Sequence, residues 1–249
     1  MFFFILDQTH ELAEALYVIA SVTDIAYLKF SMENMSIMGS ASPETACIIA
    51  IQLCPPYFQT YTCDHLHYSW INIHKIFPLM SDLNRAGFSS LSFSFTAPNL
   101  ANLVFLGPSR LREADFGLNP SNGSRDIGPY DYSTFVTLES KEFINIITDF
   151  EFYHYVLVTL TSSQVKFSYT RFQTIITRES GRCIIGGIEE SGLIKYIITV
   201  HPMHTFCNLV RQTERVWLFK SDEAAKGVIS APLGLHARFV TYFPDEWKE

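Results

Sequence analysis

Apolar residues recur at helical spacing in four stretches of the chain, and elsewhere fall at strand spacing or in short solid runs. From Thr9 to Ser21, Leu12, Leu16, Ile19 and Ala20 mark one face, with Ala13, Glu14 and Ala15 as good helix formers. A short helical piece covers about His74–Met80. Phe143, Ile146, Ile147 and Phe150 line one side of Lys141–Phe150, and Met203, Phe206, Leu209 and Val210 one side of a helix from about His201 to Arg215. Strands are expected at Phe2–Leu6, Ile25–Phe30, Met35–Met38, Ala46–Leu53, Tyr57–Asp64, His67–Ile73, Ser90–Phe95 and Ala101–Leu106. The cleanest is Ser90–Phe95, where serines alternate with Leu91, Phe93 and Phe95, one face buried and one wet.

The pattern breaks at Gly107–Asp131, where fifteen of 25 residues are Gly, Pro, Ser, Asn or Asp. With Pro108, Pro120 and Pro129 each lacking a backbone donor, the run reads as an open connector. Beyond it the order repeats. Strands are expected at Tyr132–Leu138, Tyr155–Thr161, Val165–Ser168, Thr174–Thr177, Cys183–Ile185, Leu193–Thr199, Val216–Phe219, Val228–Ser230 and Arg238–Phe243. Each half runs strand, helix, strands, helix, strands, and Tyr27-Leu-Lys-Phe-Ser31 and Gln164-Val-Lys-Phe-Ser168 are read as holding the same place in the two. The expected class is α+β with two topologically similar domains, residues 1–109 and 132–249, joined by a loop at 110–131.

Composition narrows the function. Of 249 residues, 48% are apolar and 17% charged, which excludes a disordered chain. A formal charge of −7 gives no support for a broad basic nucleic-acid surface, though a local one is compatible with it. Cys47, Cys54, Cys63, Cys183 and Cys207 form no CxxC pair, which suits a reducing compartment. The tripeptides Asn34-Met-Ser36 and Asn122-Gly-Ser124 match the glycosylation pattern without a secretion signal. The opening stretch lacks a signal peptide's basic lead, and no run is long enough to cross a bilayer, so an intracellular soluble protein is expected.

Candidate chemistry is sparse. Cys63, His65, His67 and His74 contain zinc-ligand types, but His65 and His67 alternate in an extended stretch and no fourth ligand has metal-site spacing. His201 and His204 lie one helical turn apart with no paired carboxylate. Glu11, Glu14, Glu189 and Glu190 read as solvated faces, and Gly186-Gly187 as a turn. No metal, no cofactor and no enzymatic role is expected.

The ordered features resemble the sliding DNA clamps of the proliferating cell nuclear antigen family. Tyr61-Thr-Cys-Asp64, the Phe95–Phe105 strand pair, Tyr132-Ser133 through Glu142-Phe143, the Gln164–Ser168 strand, Ala231-Pro-Leu-Gly234 and Val240–Pro244 carry the likeness, across nearly the whole chain. The resemblance implies a homotrimeric ring of two-domain subunits around double-stranded DNA, with helices lining the hole and sheets outside. It would act in the nucleus, or a viral replication compartment, as a polymerase processivity factor and docking platform.

The same resemblance implies DNA-facing positions at Lys75, Arg85, Arg110, Lys141, Arg211 and Arg215, although Arg211 and Arg215 also suit a solvated helix end. The first helix has Glu11 and Glu14 and no Lys or Arg, and Asn145 and Thr148 stand where the family is basic. A looser grip, or a ring shared with more basic subunits, follows. A pocket for partner peptides is implied at Cys47, Ile127, Pro129, Val240, Phe243 and Pro244, with Thr45 near it. Subunits would join edge strands near Arg110–Asp115 and Thr174–Cys183, with Ala114 where the family packs an aromatic, or Phe116 through a shifted register. Two other readings are a subunit of a heterotrimeric checkpoint-type clamp, and an interaction protein that kept the fold without encircling DNA.

Overall fold

The computed structural model describes residues 2–40, 47–97, 99–121, 127, 129–222 and 226–243. Two compact units divide the chain. The first comprises Met1–Gly39, Ala50–Asp126 and Gly234–Arg238, the second Ser40–Ile49, Ile127–Leu233 and Phe239–Glu249. The class is α+β, built of antiparallel sheets and four α-helices among the described residues.

The first set of elements runs β1 (Phe2–Asp7), α1 (Thr9–Ala20), β2 (Ile25–Phe30), β3 (Met35–Ser40), β4 (Ile48–Leu53), a 3-10 turn (Pro55–Tyr57), β5 (Thr60–Cys63), β6 (His67–Asn72), α2 (Ile73–Arg85), β7 (Ser90–Ala97), β8 (Leu100–Leu106) and β9 (Leu111–Gly117). A two-residue β10 (Asn119–Pro120) pairs with β6. The second set runs β11 (Tyr130–Glu139), α3 (Ser140–Asp149), β12 (Val156–Leu160), β13 (Gln164–Tyr169), β14 (Phe172–Thr177), a 3-10 turn (Arg178–Ser180), β15 (Cys183–Gly186), β16 (Ile194–Ile198), α4 (Met203–Val210), β17 (Arg215–Ser221), β18 (Gly227–Leu233) and β19 (Ala237–Tyr242). The two series match element for element, 3-10 turn included. Their strand orders match as well: β5-β1-β7-β8-β9 answers β15-β11-β17-β18-β19, and β6-β2-β3-β4 answers β16-β12-β13-β14.

Local sequence accounts for most elements. In α1, Leu12, Leu16 and Ile19 are buried while Glu11, Glu14 and Tyr17 stay outside, the split expected of a helix on a sheet. Phe143, Ile146 and Ile147 of α3 are fully buried, each contributing about 1.5–3 kcal/mol. In β7, Leu91 and Phe93 are buried and the serines that alternate with them are not. Antiparallel register sets Phe4 of β1 opposite Phe93, and their rings stack at 5.1 Å. Phe2 and Phe30 extend this aromatic core at 4.1 Å.

Four expectations need correction. The second helix does not stop near Met80 but continues to Arg85, because Pro78 forfeits one backbone bond in a helix otherwise anchored by Ile76, Met80 and Leu83. The last helix ends at Val210 rather than Arg215: beyond it the Gln212 and Thr213 amides turn to the Leu209 and Val210 carbonyls, three residues back, and Arg215 already begins β17. The connector is not structureless throughout: Leu111–Gly117 is an edge strand, whose polar composition suits a position with one neighbour only. Finally, the two Lys-Phe-Ser stretches are not equivalent. The first lies in β2, whose counterpart is β12, whereas the second lies in β13.

Candidate nucleic-acid interface

In the second unit, α3 begins against the chain that leaves α4. The Ser140 amide donates to the Glu214 carbonyl (3.0 Å), and the Ser140 hydroxyl to the Thr213 carbonyl (2.6 Å). This brings Lys141, exposed on the first turn of α3, to the same end of the helix pair as Arg211, exposed at the C-cap of α4. Arg182, from the turn before β15, places Nη1 3.1 Å from Glu142 Oε1. Arg215 is half-buried at the start of β17, where its Nε donates to Thr137 Oγ1 (3.2 Å) and its Nη2 is buried without a partner. Arg215 therefore belongs to a sheet and not to a helix flank. Burial pushes the Cys183 thiol up, and the nearby Arg182, Arg178 and Arg215 pull the other way without overcoming it. Glu139 and Glu214 lie at the edge of this cationic corner, both exposed. Arg178 and Arg182 carry no linear signal of membership, since only the fold returns them to α3.

The first unit repeats the arrangement with different chemistry. Thr9 opens α1 against the end of α2 and the segment after it, its amide donating to the Ser89 carbonyl (3.2 Å) and its hydroxyl to Asn84 Oδ1, with the Phe88 carbonyl farther off at 3.5 Å. Arg110 donates from Nη2 to the Ala86 carbonyl (2.9 Å) and lies 5.4 Å from the Phe88 ring centre. Arg85, the last residue of α2, sits 3.6 Å from Asp82, and both are exposed, so the pair adds little stability. Lys75 lies at the opposite end of α2, about 15 Å away along the axis at 1.5 Å per residue. It borders a cavity of about 320 Å³ lined also by Asn72, Asp115, Phe116, Gly117 and Asn119.

Of the positions expected to receive partner peptides, Ile127 and Val240 come together, around a cluster of Tyr130, Phe219, Val228 and Tyr242. Cys47, Val240 and Phe243 are buried, and burial raises the Cys47 thiol far above its ordinary value. Pro129 is exposed, its carbonyl accepting from the Asp222 amide at 3.2 Å. Pro244 and Thr45 lie outside the described residues, as does Asn122-Gly-Ser124. On β9, Ala114 and Phe116 are both half-buried and, two residues apart, share a face. A two-residue shift would thus substitute one for the other, whereas a one-residue shift would turn both away.

The zinc-type residues disperse. Cys63 Sγ donates to the His65 carbonyl (3.1 Å), His65 pairs with Asp64, and His74 Nε2 meets Asp24 at 2.8 Å. His67 lies among aromatic rings, 4.6 Å from Phe95 and 5.9 Å from Phe30. Among the described residues no three His, Cys, Asp or Glu side chains converge on a metal position. His201 faces His154 at 5.8 Å between ring centres. No helix is long and apolar enough, among the described residues, to cross a membrane.

Searches against protein families and against curated proteins return nothing that matches this chain.

Proposed function

We propose that this chain is a subunit of a sliding clamp that encircles duplex DNA as a ring, without sequence preference, and tethers a polymerase and other replication or repair proteins. The observation that carries the reading is the double series of elements: the same order of strands, 3-10 turn and helices twice, with the same strand neighbours each time. A subunit made of two such repeats contributes two copies of one helix pair, which suits lining a channel. Exposed edge strands β9 and β14 offer unpaired backbone for closing the ring as a homotrimer. The role is mechanical and not enzymatic, and it belongs in the nucleus or a viral replication compartment. A topological link holds such a ring in place, so weak attraction to phosphates is sufficient.

One observation favours a second reading within the same fold. The α1 flank carries Glu11 and Glu14 and no cation, which suits a ring shared with more basic subunits, as in a checkpoint-type heterotrimer. Two measurements separate the readings. Solution mass should be three times the 28.4 kDa of one chain for the homotrimer. Retention on nicked circular DNA, with loss from linear DNA, marks encirclement. Equal retention on both forms would leave an interaction protein that does not encircle DNA.

A further inference from the structure

The cavity at the start of α2 combines groups that contact with DNA leaves unexplained. It holds about 320 Å³, the small end of the roughly 300–1,000 Å³ usual for small-molecule sites. Its walls come from the first unit alone: Asn72 and Lys75 beside the first turn of α2, Asp115, Phe116 and Gly117 at the end of β9, and Asn119 of β10. Two opposite charges share this cavity without pairing. Among the described residues Lys75 makes no ion pair, and the Asp115 carboxylate accepts only from Asn102 Nδ2, through Oδ1 at 3.0 Å. Asn72 stands at the N-cap of α2 without capping it, and its Oδ1 is buried with no donor. Phe116 adds one half-buried apolar ring to these polar walls.

We infer that this cavity takes a free α-amino acid with a flat apolar side chain, its carboxylate on Lys75, its ammonium on Asp115 and Asn72 Oδ1, and its side chain against the Phe116 ring. The inference goes beyond the clamp reading and does not require it. The ligand class follows from the walls. Asp115 would repel a bare phosphate, and an amine alone would leave Lys75 unmatched. A peptide terminus carries one of the two charges beside its Cα, whereas a free amino acid carries both. Charge-assisted hydrogen bonds at each end fix its orientation. Lys75 and Asp115 face water, which weakens their contacts, so the buried Asn72 acceptor is the group that gains most from an incoming N–H.

The test is titration calorimetry of the full chain with L-phenylalanine, with hydrocinnamate, which lacks the ammonium, and with phenethylamine, which lacks the carboxylate. Phenylalanine should bind at least about tenfold tighter than either, the factor expected from one charge-assisted hydrogen bond. K75Q should abolish the advantage over phenethylamine and leave that over hydrocinnamate. D115N, whose amide oxygen can still accept from Asn102, should reduce only the advantage over hydrocinnamate. N72A should act as D115N does while melting no lower than the parent, since it deletes an acceptor that has no donor. No binding of phenylalanine at millimolar concentration, equal affinity for the three compounds, or ratios unmoved by K75Q and D115N would overturn the inference. The clamp reading is decided separately, by solution mass and retention on circular DNA.

Discussion

The hydroxyl of Ser140 donates to the carbonyl of Thr213 at 2.6 Å, closing one end of the α3–α4 pair. Thr9 ties α1 to α2 from the corresponding position, its hydroxyl donating to Asn84 Oδ1. Both hydroxyls stand at the first residue of the first helix in their unit, so one device holds both helix pairs. Replacing Ser140 with alanine leaves the Thr213 carbonyl short of a donor. S140A should lower stability by about 1 kcal/mol in urea unfolding.

Gly187 has φ +74°, and a Cβ there would sit 1.8 Å from the Ser133 carbonyl oxygen. Neither the backbone angle nor the space admits a side chain. G187A should cost roughly 2–4 kcal/mol, through strain and displacement of β11. Gly181 also has a positive φ (+71°), but nothing lies within 4 Å of its Cβ position, so G181A should cost less than G187A. Thermal or urea unfolding of the two variants side by side checks the ordering.

His67 is pushed below its ordinary value of 6.5, first by burial and then by His65, and its Nε2 is buried without a partner. The native state thus favours the neutral ring and binds fewer protons than the unfolded chain between that depressed value and 6.5. Stability contributed by neutral His67 is present above 6.5 and is lost as pH falls below it. H67F keeps a ring among Phe30 and Phe95 and removes the titration. Urea midpoints at pH 8 and pH 5 should fall further for the parent than for H67F, and equal falls would show that His67 does not contribute.

Strand β14 ends the β14-β13-β12-β16 sheet, pairing with β13 alone, and Ile175 on it is 40% exposed. A lysine at an open edge discourages strand addition at little cost to the folded chain. If subunits join here, I175K should reduce the solution mass to that of one chain, 28.4 kDa, without shifting the melting temperature. An unchanged mass would place the subunit contact elsewhere.

Where the sequence reading succeeded, the information was local. Leu12, Leu16 and Ile19 announce α1, and Leu91 and Phe93 announce β7, because one buried face imposes its period on the residues that line it. Where it fell short, the deciding contact came from far away in sequence. Leu111–Gly117 carries no alternation, and becomes a strand because β8 is already there to pair with it. The Lys-Phe-Ser likeness pointed to the wrong strand, since four residues of similar pattern fit any half-buried strand.

The amino-acid order alone determined the four helices, which rest on periodicity within single elements, and the α+β class and the presence of a repeat, which rest on the order of those elements. Tertiary structure decided which charges stand together. Lys141, Arg182, Arg211 and Arg215 span 75 positions from first to last, and no spacing rule joins them. They meet because Ser140 fastens the start of α3 to Thr213 and Glu214, and because β15 and β17 flank β11 on either side. Hydrophobic period is written residue by residue along the chain, whereas an electrostatic site is the sum of charges that only packing makes neighbours.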